Sequence, residues 1–357
     1  MFFREWSELE PSVAYIDPSQ PFLITDEKRL ESLPPENGGE FSPAIVLESR
    51  SHRARFWVDE EGRIMEFKGL TPSVYDEEKI NPNSNQPRGL MTLEKARIEA
   101  EGINLIGALE ARVVELGKYF GDMGKYAQLC RRAKAGGKYF PWARMDILPT
   151  SMQLLAELEG VDFETYLHQA CVRFGRQLRG LHDAGRTLHT PFRVGTDEPF
   201  FSSLHMGNVE IHGNIIDLEG MKDFREAEEA CLEAFKADRK NWARIPKELL
   251  QQMKDRPFRD FSRLSDLHIF IGGRGFGEGS FFRTFFVAGR DAERFTLGLS
   301  GIIEGYYGES VERGEIKGEI TNVLSKVKNY LVEEKATLFP FQLTCDIFFG
   351  IEKELSG

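Results

Sequence analysis

The most informative stretch of the chain is Leu204-His205-Met206-Gly207-Asn208. Asp217 follows nine residues after Asn208, within Ile215-Ile216-Asp217-Leu218-Glu219-Gly220. Short apolar or alternating runs flank the turn His212-Gly213-Asn214 and predict a hairpin. A hairpin of that length returns both of its ends to one edge, so Asn208 and Asp217 are expected to face each other. An amide oxygen and a carboxylate are ligands that Mg²⁺ takes beside a bound triphosphate. The alternative interpretation is an ordinary surface hairpin bracketed by two polar residues.

A second pattern, upstream, joins a lysine at the end of a strand to a glutamate on the next helix. The run Arg63-Ile64-Met65-Glu66-Phe67-Lys68 is typical of a strand, and Thr92 is a suitable N-cap for a helix near 92–109. Glu99 lies inside the apolar arc of that helix, where an unpaired carboxylate is strongly disfavoured. The sequence therefore predicts an ion pair between Lys68 and Glu99. The alternative is a glutamate whose stem extends to solvent.

Together the two patterns match the parts with which protein kinases hold ATP. In kinases a strand lysine, paired with a helix glutamate, contacts phosphates, while an asparagine and an aspartate bind magnesium. Two parts of that arrangement are missing from the sequence. The position of the catalytic base, five residues before the asparagine, holds Ser203, and no glycine-rich loop precedes Lys68. A basic loop precedes it instead, and its residues Arg50 and Arg53 are predicted to contact phosphates.

At these residues the chain resembles the selenoprotein O family of protein adenylyltransferases, kinase-like proteins that move AMP onto protein hydroxyls. The resemblance rests on four short features, which are Phe67-Lys68-Gly69-Leu70-Thr71-Pro72-Ser73, the helix segment Ala96 to Gly102, the segment Arg144 to Ser151, and the spacing from Asn208 to Asp217. It implies that ATP and Mg²⁺ are bound and that a protein is the acceptor. It also implies nucleotide and metal roles for five residues: Lys68, Glu99, Arg144, Asn208 and Asp217.

The chain departs from that family at several positions. The family's second phosphate-binding arginine falls near 151–153, where this sequence has no cation, and the acidic residue before the magnesium asparagine is Gly207. The segment 81–87 is inserted between the lysine strand and the glutamate helix. The similarity covers about residues 40–225. AMP transfer is therefore an expectation that rests on this part of the chain alone.

Two other functions match parts of the sequence. The segment Leu181-His182-Asp183-Ala184-Gly185 resembles the helix end before the catalytic loop of antibiotic kinases, which favours a kinase acting on small molecules or proteins. Such a kinase needs a base near the loop, where the sequence has Ser203. A nucleotide-binding pseudokinase that acts as an interaction module needs no base and is the third hypothesis.

The global properties are those of a globular enzyme. The chain has 357 residues, of which 41% are hydrophobic and 29% charged, and its net charge of −11 argues against a general nucleic-acid-binding surface. It lacks a signal-like start and any run of eighteen apolar residues, so a cytoplasmic protein without membrane contact is expected. Its four cysteines are widely scattered and suggest neither a zinc knuckle nor a disulfide framework. Gly272–Gly279 lacks the spacing of a phosphate loop and is predicted to be a surface loop.

The predicted fold class is α+β, with a two-lobed protein-kinase-like fold, an N-terminal lead-in and a helical C-terminal extension. Its parts are an extended segment at 1–40, a small lobe at 41–143 with the sheet and the glutamate-bearing helix, and a mostly helical large lobe at 144–357. Strands are predicted near 43–48, 53–58, 63–68 and 111–115, and helices of the large lobe near 164–182, 224–240, 246–254 and 318–334.

Overall fold

The structure is a computed structural model of an α+β protein. It describes residues 15–16, 43–49, 54–59, 64–69, 80–81, 86–87, 91–107, 109–118, 125–134, 137–139, 145, 149–190, 201–237, 256–273, 280–288, 291–312, 314, 316–333 and 339–356. The chain divides into two compact units, Met1–Trp142 and Ala143–Gly357.

The first unit contains a six-stranded sheet. The strands of the unit are β1 (Tyr15–Ile16), β2 (Pro43–Ser49), β3 (Ala54–Asp59), β4 (Ile64–Lys68), β5 (Ile80–Asn81), β6 (Gln86–Pro87), β7 (Leu109–Lys118) and β8 (Lys125–Ala133). The order in the sheet is β1-β2-β3-β4-β8-β7, while β5 and β6 pair only with each other. The β1–β2 pair is parallel and the other pairs are antiparallel. Strand β8 therefore lies between β4 and β7, although it follows both in the chain.

Helix α1 (Leu93–Ile106) connects the β4 side of this sheet to β7 and packs on β7 and β8. Its start matches the prediction, since the Thr92 side chain accepts a hydrogen bond from the backbone nitrogen of Lys95 at 3.3 Å. Gly107 ends the helix in the left-handed conformation, with φ of 75°. Ala96, Ala100 and Ile103 recur at helical spacing and are buried. This face holds the helix on the sheet.

The second unit is mainly helical among its described residues. Its helices are α2 (Pro149–Leu158), α3 (Phe163–Asp183), α4 (Phe224–Ala237), α5 (Phe258–Ile271), α6 (Ala292–Tyr307), α7 (Glu309–Glu312), α8 (Lys317–Glu333) and α9 (Phe341–Ser356), with a π-helix at Phe282–Ala288. Short strands also occur in this unit, β9 (Arg186–Thr187), β10 (His189–Thr190), β11 (Phe201–Ser202) and β12 (Lys222–Asp223). They pair β9 with β12 and β10 with β11.

Helices α3 and α6 form the centre of the second unit. They approach closely because glycines face the neighbouring backbone: a Cβ built on Gly305 would lie 2.0 Å from the Val172 carbonyl oxygen, and one on Gly175 would lie 2.3 Å from that of Ile302. No larger residue fits at either position without moving the helices apart. The rings of Phe174 on α3 and Phe270 on α5 stack with centroids 3.7 Å apart.

Several predicted elements are present with shifted ends. The strands expected near 43–48, 53–58 and 63–68 are β2, β3 and β4, and the helices expected near 164–182, 224–240 and 318–334 are α3, α4 and α8. The strand expected at 111–115 is longer and is β7. The helix expected near 246–254 lies outside the described residues. Among the helices that the structure does describe, none is long and apolar enough to cross a membrane.

Candidate functional site

The ion pair predicted from the sequence is present in the first unit. Lys68, the last residue of β4, donates a hydrogen bond from Nζ to Oε2 of Glu99 on α1 at 2.9 Å. The Glu99 side chain is 0% exposed, whereas that of Lys68 is 19% exposed. The carboxylate is thus enclosed between helix and sheet, while the lysine side chain is partly exposed to solvent. Its part in nucleotide binding stays a prediction.

Arg131 on β8 is a third charged residue at this place, and it is not among the residues predicted from the sequence. Its NH1 donates to Glu99 Oε1 at 2.8 Å, so Glu99 bonds one cation through each oxygen. Its Nε and NH2 donate to the two oxygens of Glu66 at 2.6 and 2.8 Å, in the paired geometry that guanidinium groups favour. Glu66 and Arg131 stand directly opposite each other on β4 and β8. The Tyr139 hydroxyl also donates to Glu66.

The electrostatics of this cluster favour the charged form of Arg131. Burial opposes the charge, but the carboxylates of Glu66 and Glu99, together with Tyr139, raise the pKa of the guanidinium well above its ordinary value. The alternation of residues along β8 indicates that Arg131 points inward. Ala127, Leu129 and Arg131 alternate along β8 and are all buried, so an arginine occupies an inward position and requires a carboxylate partner there.

The predicted hairpin after Asn208 is present in the second unit. Val209 and Ile215 form an antiparallel bridge, and the Ile216 nitrogen donates to the Asn208 carbonyl oxygen at 2.9 Å. Gly213 makes the turn with φ of 90°. The hairpin therefore returns the chain to Asn208 one residue before Asp217, which brings these two residues to the same edge.

The amide of Asn208 has a defined orientation. Its Nδ2 donates to the carbonyl oxygen of Ser203 at 2.7 Å, across the turn that precedes the hairpin. Oδ1 is then the amide atom left to coordinate a cation. Asn208 and Asp217 are both partly exposed, and the carboxylate oxygens of Asp217 and Glu219 lie within 4.8 Å of one another. Amide and carboxylate oxygens are donors that suit Mg²⁺, so the residues present fit such an ion.

Ser203 lies five residues before Asn208, the spacing at which protein kinases carry a catalytic aspartate before their magnesium asparagine. Its hydroxyl oxygen is buried and has no hydrogen-bond partner among the described residues. Gly220 lies against it, since a Cβ built on that glycine would be 3.2 Å from the hydroxyl oxygen. A neutral hydroxyl cannot take a proton as a carboxylate does. General-base catalysis from this position is therefore excluded.

A buried glutamate supports the hairpin from inside. Glu210 accepts hydrogen bonds from the backbone nitrogens of His212 and Asn214 at 3.1 and 3.0 Å, and from Nδ2 of Asn214 at 2.6 Å. Gln177 on α3 joins the same network, because it donates to Asn214 Oδ1 and accepts from the Ile215 nitrogen. These bonds connect the hairpin to the long helix α3 and restrict its movement.

Asp266 on α5 is a second functional candidate that is not among the residues predicted from the sequence. It is fully buried, and its Oδ2 accepts from Thr187 Oγ1 at 2.7 Å, from the Leu188 nitrogen at 3.0 Å and from His182 Nε2 at 3.2 Å. Its Oδ1 accepts from the Ser202 hydroxyl. One carboxylate thus joins the end of α3, the β9–β10 segment and the residue that precedes Ser203.

The protonation states around Asp266 follow from its contacts. Burial alone would raise the pKa of the Asp266 carboxyl, but the hydrogen bonds that it accepts from His182, Ser202 and Leu188 lower it below the ordinary value. Burial lowers the pKa of His182, which keeps the ring neutral at pH 7. The neutral ring with its proton on Nε2 donates to Asp266 and accepts at Nδ1 from the Tyr306 hydroxyl at 2.7 Å.

A cysteine–histidine pair nearby does not provide a nucleophile. The Sγ of Cys231 lies 3.2 Å from Nε2 of His189. Burial raises the pKa of the Cys231 thiol to about 12 and lowers that of His189 to about 4. Both groups are therefore neutral at pH 7, and a thiolate mechanism is disfavoured.

The remaining residues proposed for the site lie outside the described part of the chain. These residues are Arg50, Arg53 and Arg144, and residues 274–279 of the glycine-rich loop also lie outside the described part. Their roles stay predictions. Comparison of the chain with family models, with curated proteins and with solved structures finds no significant match.

Proposed function

We propose that the protein is an ATP- and Mg²⁺-dependent transferase of kinase-like fold that moves AMP from ATP onto hydroxyl groups of a protein substrate, with pyrophosphate as the leaving group. The observation that carries the proposal is the ion pair between a lysine at the end of the third long strand and a buried glutamate on the following helix. Protein kinases use a pair of this kind, between strand and helix, to position the phosphates of ATP. The family resemblance supplies the choice of AMP over phosphate.

In this proposal the first unit positions the nucleotide. Lys68 contacts the phosphates, and Glu99 holds its ammonium in place. Arg50 and Arg53 add positive charge to the phosphates, as forked donors suited to that geometry, and Arg144 of the second unit is proposed for the same role. Positioning of this kind can supply several kcal/mol of the barrier reduction, on the order of 7–11 kcal/mol in well-oriented systems.

The second unit holds the metal in the same proposal. Asn208 Oδ1 and the Asp217 carboxylate are the ligands, which the hairpin brings to one edge. A bound Mg²⁺ ion neutralises charge on the triphosphate. Because electrostatic stabilisation and in-line positioning provide most of the acceleration, the serine at position 203 does not preclude transfer.

The buried hydroxyl of Ser203 also favours a second candidate, a pseudokinase that binds nucleotide and acts through its shape. Loss of the catalytic base is the feature expected of such a protein. The two candidates differ in turnover and agree in nucleotide binding.

Incubation with ATP labelled at either the α or the γ phosphate separates these functions. We expect label from the α position to become attached to protein, in a Mg²⁺-dependent way, and label from the γ position to remain in solution. Asp217→Asn is expected to reduce the transfer by at least about a hundredfold, as expected for loss of electrostatic stabilisation in the transition state. Glu226→Gln is the matched control, since Glu226 is an exposed acidic residue of the same unit.

Each other result has a definite meaning. Attachment of the γ label alone would identify a kinase and contradict AMP transfer. Stabilisation by Mg·ATP without attachment of either label would identify the pseudokinase. A protein that neither binds nor transfers the nucleotide would overturn the proposal as a whole.

A further inference from the structure

The carboxylate of Glu99 is held by two cations that differ in their surroundings. Lys68 reaches one oxygen from a partly exposed position, and Arg131 reaches the other from a buried one. Arg131 is itself bound to Glu66 on the neighbouring strand. The cluster contains two positive and two negative side chains, so its formal charge is zero. Removal of Lys68 would leave Glu99 still paired with a buried cation.

Helix α1 is also attached to the sheet at both of its ends. Before the helix, the Met91 carbonyl oxygen accepts from the Ala127 nitrogen on β8 at 3.0 Å. In the last turn, Asn104 exchanges two hydrogen bonds of 3.0 Å with the backbone of Ala111 on β7. The contact of Glu99 with Arg131 lies between these two points. Rotation of α1 away from the sheet would break all three contacts.

A rotation of this kind would also leave charges without partners. Glu99 would lose Arg131, and the guanidinium would keep one carboxylate instead of two in a buried place. Because uncompensated charges are strongly disfavoured inside proteins, the cluster opposes any outward movement of the helix. The helix that carries the kinase glutamate is a common point of regulation through its position. Here the contacts keep it on the sheet.

We propose that Arg131 is a positioning residue that keeps Glu99, and through it Lys68, assembled before nucleotide binds. Lys68 and Glu99 then form a rigid phosphate-binding pair, and α1 does not act as a movable switch. The inference rests on the proposed function for its nucleotide part. The geometric part, which concerns the restraint on Lys68, can be measured without any nucleotide.

The test uses a pair of substitutions that removes Arg131 together with its dedicated partner. In Glu66→Gln/Arg131→Met, the charges of Lys68 and Glu99 remain and balance each other, so no buried charge is left unpaired. Replacement of a buried ion pair by neutral groups is often tolerated. Arg131→Lys is the second variant, because a single ammonium cannot donate to Glu66 and Glu99 as a planar fork does.

The neighbouring surface pair provides a matched control. Arg132 and Glu110 lie on two neighbouring strands of the same sheet, β8 and β7, and form an ion pair of 3.1 Å with side chains 34% and 42% exposed. Glu110→Gln/Arg132→Met makes the same chemical change next to the cluster. Exposed pairs of this kind contribute little to stability. Effects shared by both double variants are therefore not specific to Arg131.

Two readouts are compared. The first is the rate at which an amine-acylating reagent modifies Lys68 in the folded protein without nucleotide, measured by mass spectrometry. The second is the dissociation constant for Mg·ATP. We expect the Arg131 double variant to show at least a threefold faster acylation of Lys68. We also expect ATP binding to weaken by roughly ten- to a hundredfold, by analogy with the removal of groups that orient metal ligands. The control variant is expected to match the wild type in both.

The results separate the inference from the proposed function. Wild-type acylation and ATP affinity in both Arg131 variants would overturn the inference, because Arg131 would then only neutralise Glu66. Faster acylation of Lys68 in a protein whose wild type fails to bind ATP would support the positioning role and overturn the proposed function. Faster acylation together with weaker ATP binding, absent from the control, would support both.

Discussion

Replacement of Glu99 by alanine is expected to lower the free energy of unfolding of the first unit by about 3–5 kcal/mol. The substitution removes a fully buried carboxylate that accepts hydrogen bonds from Lys68 and Arg131, and it leaves a cavity beneath α1. Arg131 keeps Glu66 but loses one of its two partners. Urea denaturation followed by hydrogen exchange of peptides from α1 and β8 measures the effect on this unit rather than on the whole chain.

The matched control for this prediction is Glu101→Ala. Glu101 is exposed on the same helix, so the same change there is expected to alter stability by less than about 0.5 kcal/mol. Equal effects of the two substitutions would contradict the description of Glu99 as the buried centre of the cluster.

Replacement of Asp266 by alanine is expected to lower the free energy of unfolding of the second unit by about 3–5 kcal/mol. Four donors converge on this carboxylate, and all of them are buried. Asp266→Asn is expected to cost about 1–3 kcal/mol, because its amide oxygen can still accept from several donors and the Ser202 hydroxyl can accept from its nitrogen. Urea unfolding monitored by hydrogen exchange of the 182–190 and 201–208 peptides reports the difference.

The pH dependence of this unit provides a further check on the same network. Both Asp266 and His182 have lowered pKa values in the folded state, so their stabilising contribution is present above the unfolded values and is lost as the pH falls. For the histidine this loss begins below about pH 6.5, and for the aspartate below about pH 4. His189, whose pKa is lowered to about 4, adds about 2 kcal/mol of loss between pH 7 and pH 5. Stability that stayed constant from pH 7 to pH 5 would contradict these assignments.

The sequence predicts those features that depend on residues close together in the chain. The cap of α1 at Thr92 and the hairpin turn at Gly213 involve residues within a few positions of each other. The pairing of Lys68 with Glu99 spans a longer distance, but it follows from one principle, since a glutamate inside an apolar arc requires a cation. The preferences of residues for caps and turns, together with helical periodicity, predict these three features.

Arg131 and Asp266 were missed because their contacts depend on tertiary structure. The bond from Arg131 to Glu66 requires the insertion of β8 next to β4, and this strand order cannot be derived from the alternation of either strand. Asp266 lies on the buried side of α5 with Ser262 and Ser265, next to an apolar stripe that includes Phe261 and Leu264. Its donors come from segments about 60 to 80 residues earlier in the chain, so the periodicity of the helix does not reveal them.

The most direct measurement of the central claim is a calorimetric titration of the wild-type protein and of Asp217→Asn with ATP, with and without Mg²⁺. We expect the wild type to bind ATP at least tenfold more tightly with Mg²⁺ than without it. The Asp217→Asn variant is expected to lose most of this difference while it retains metal-free binding through Lys68. Binding that is equally strong with and without Mg²⁺ in both proteins, or no binding to the wild type, would contradict the account.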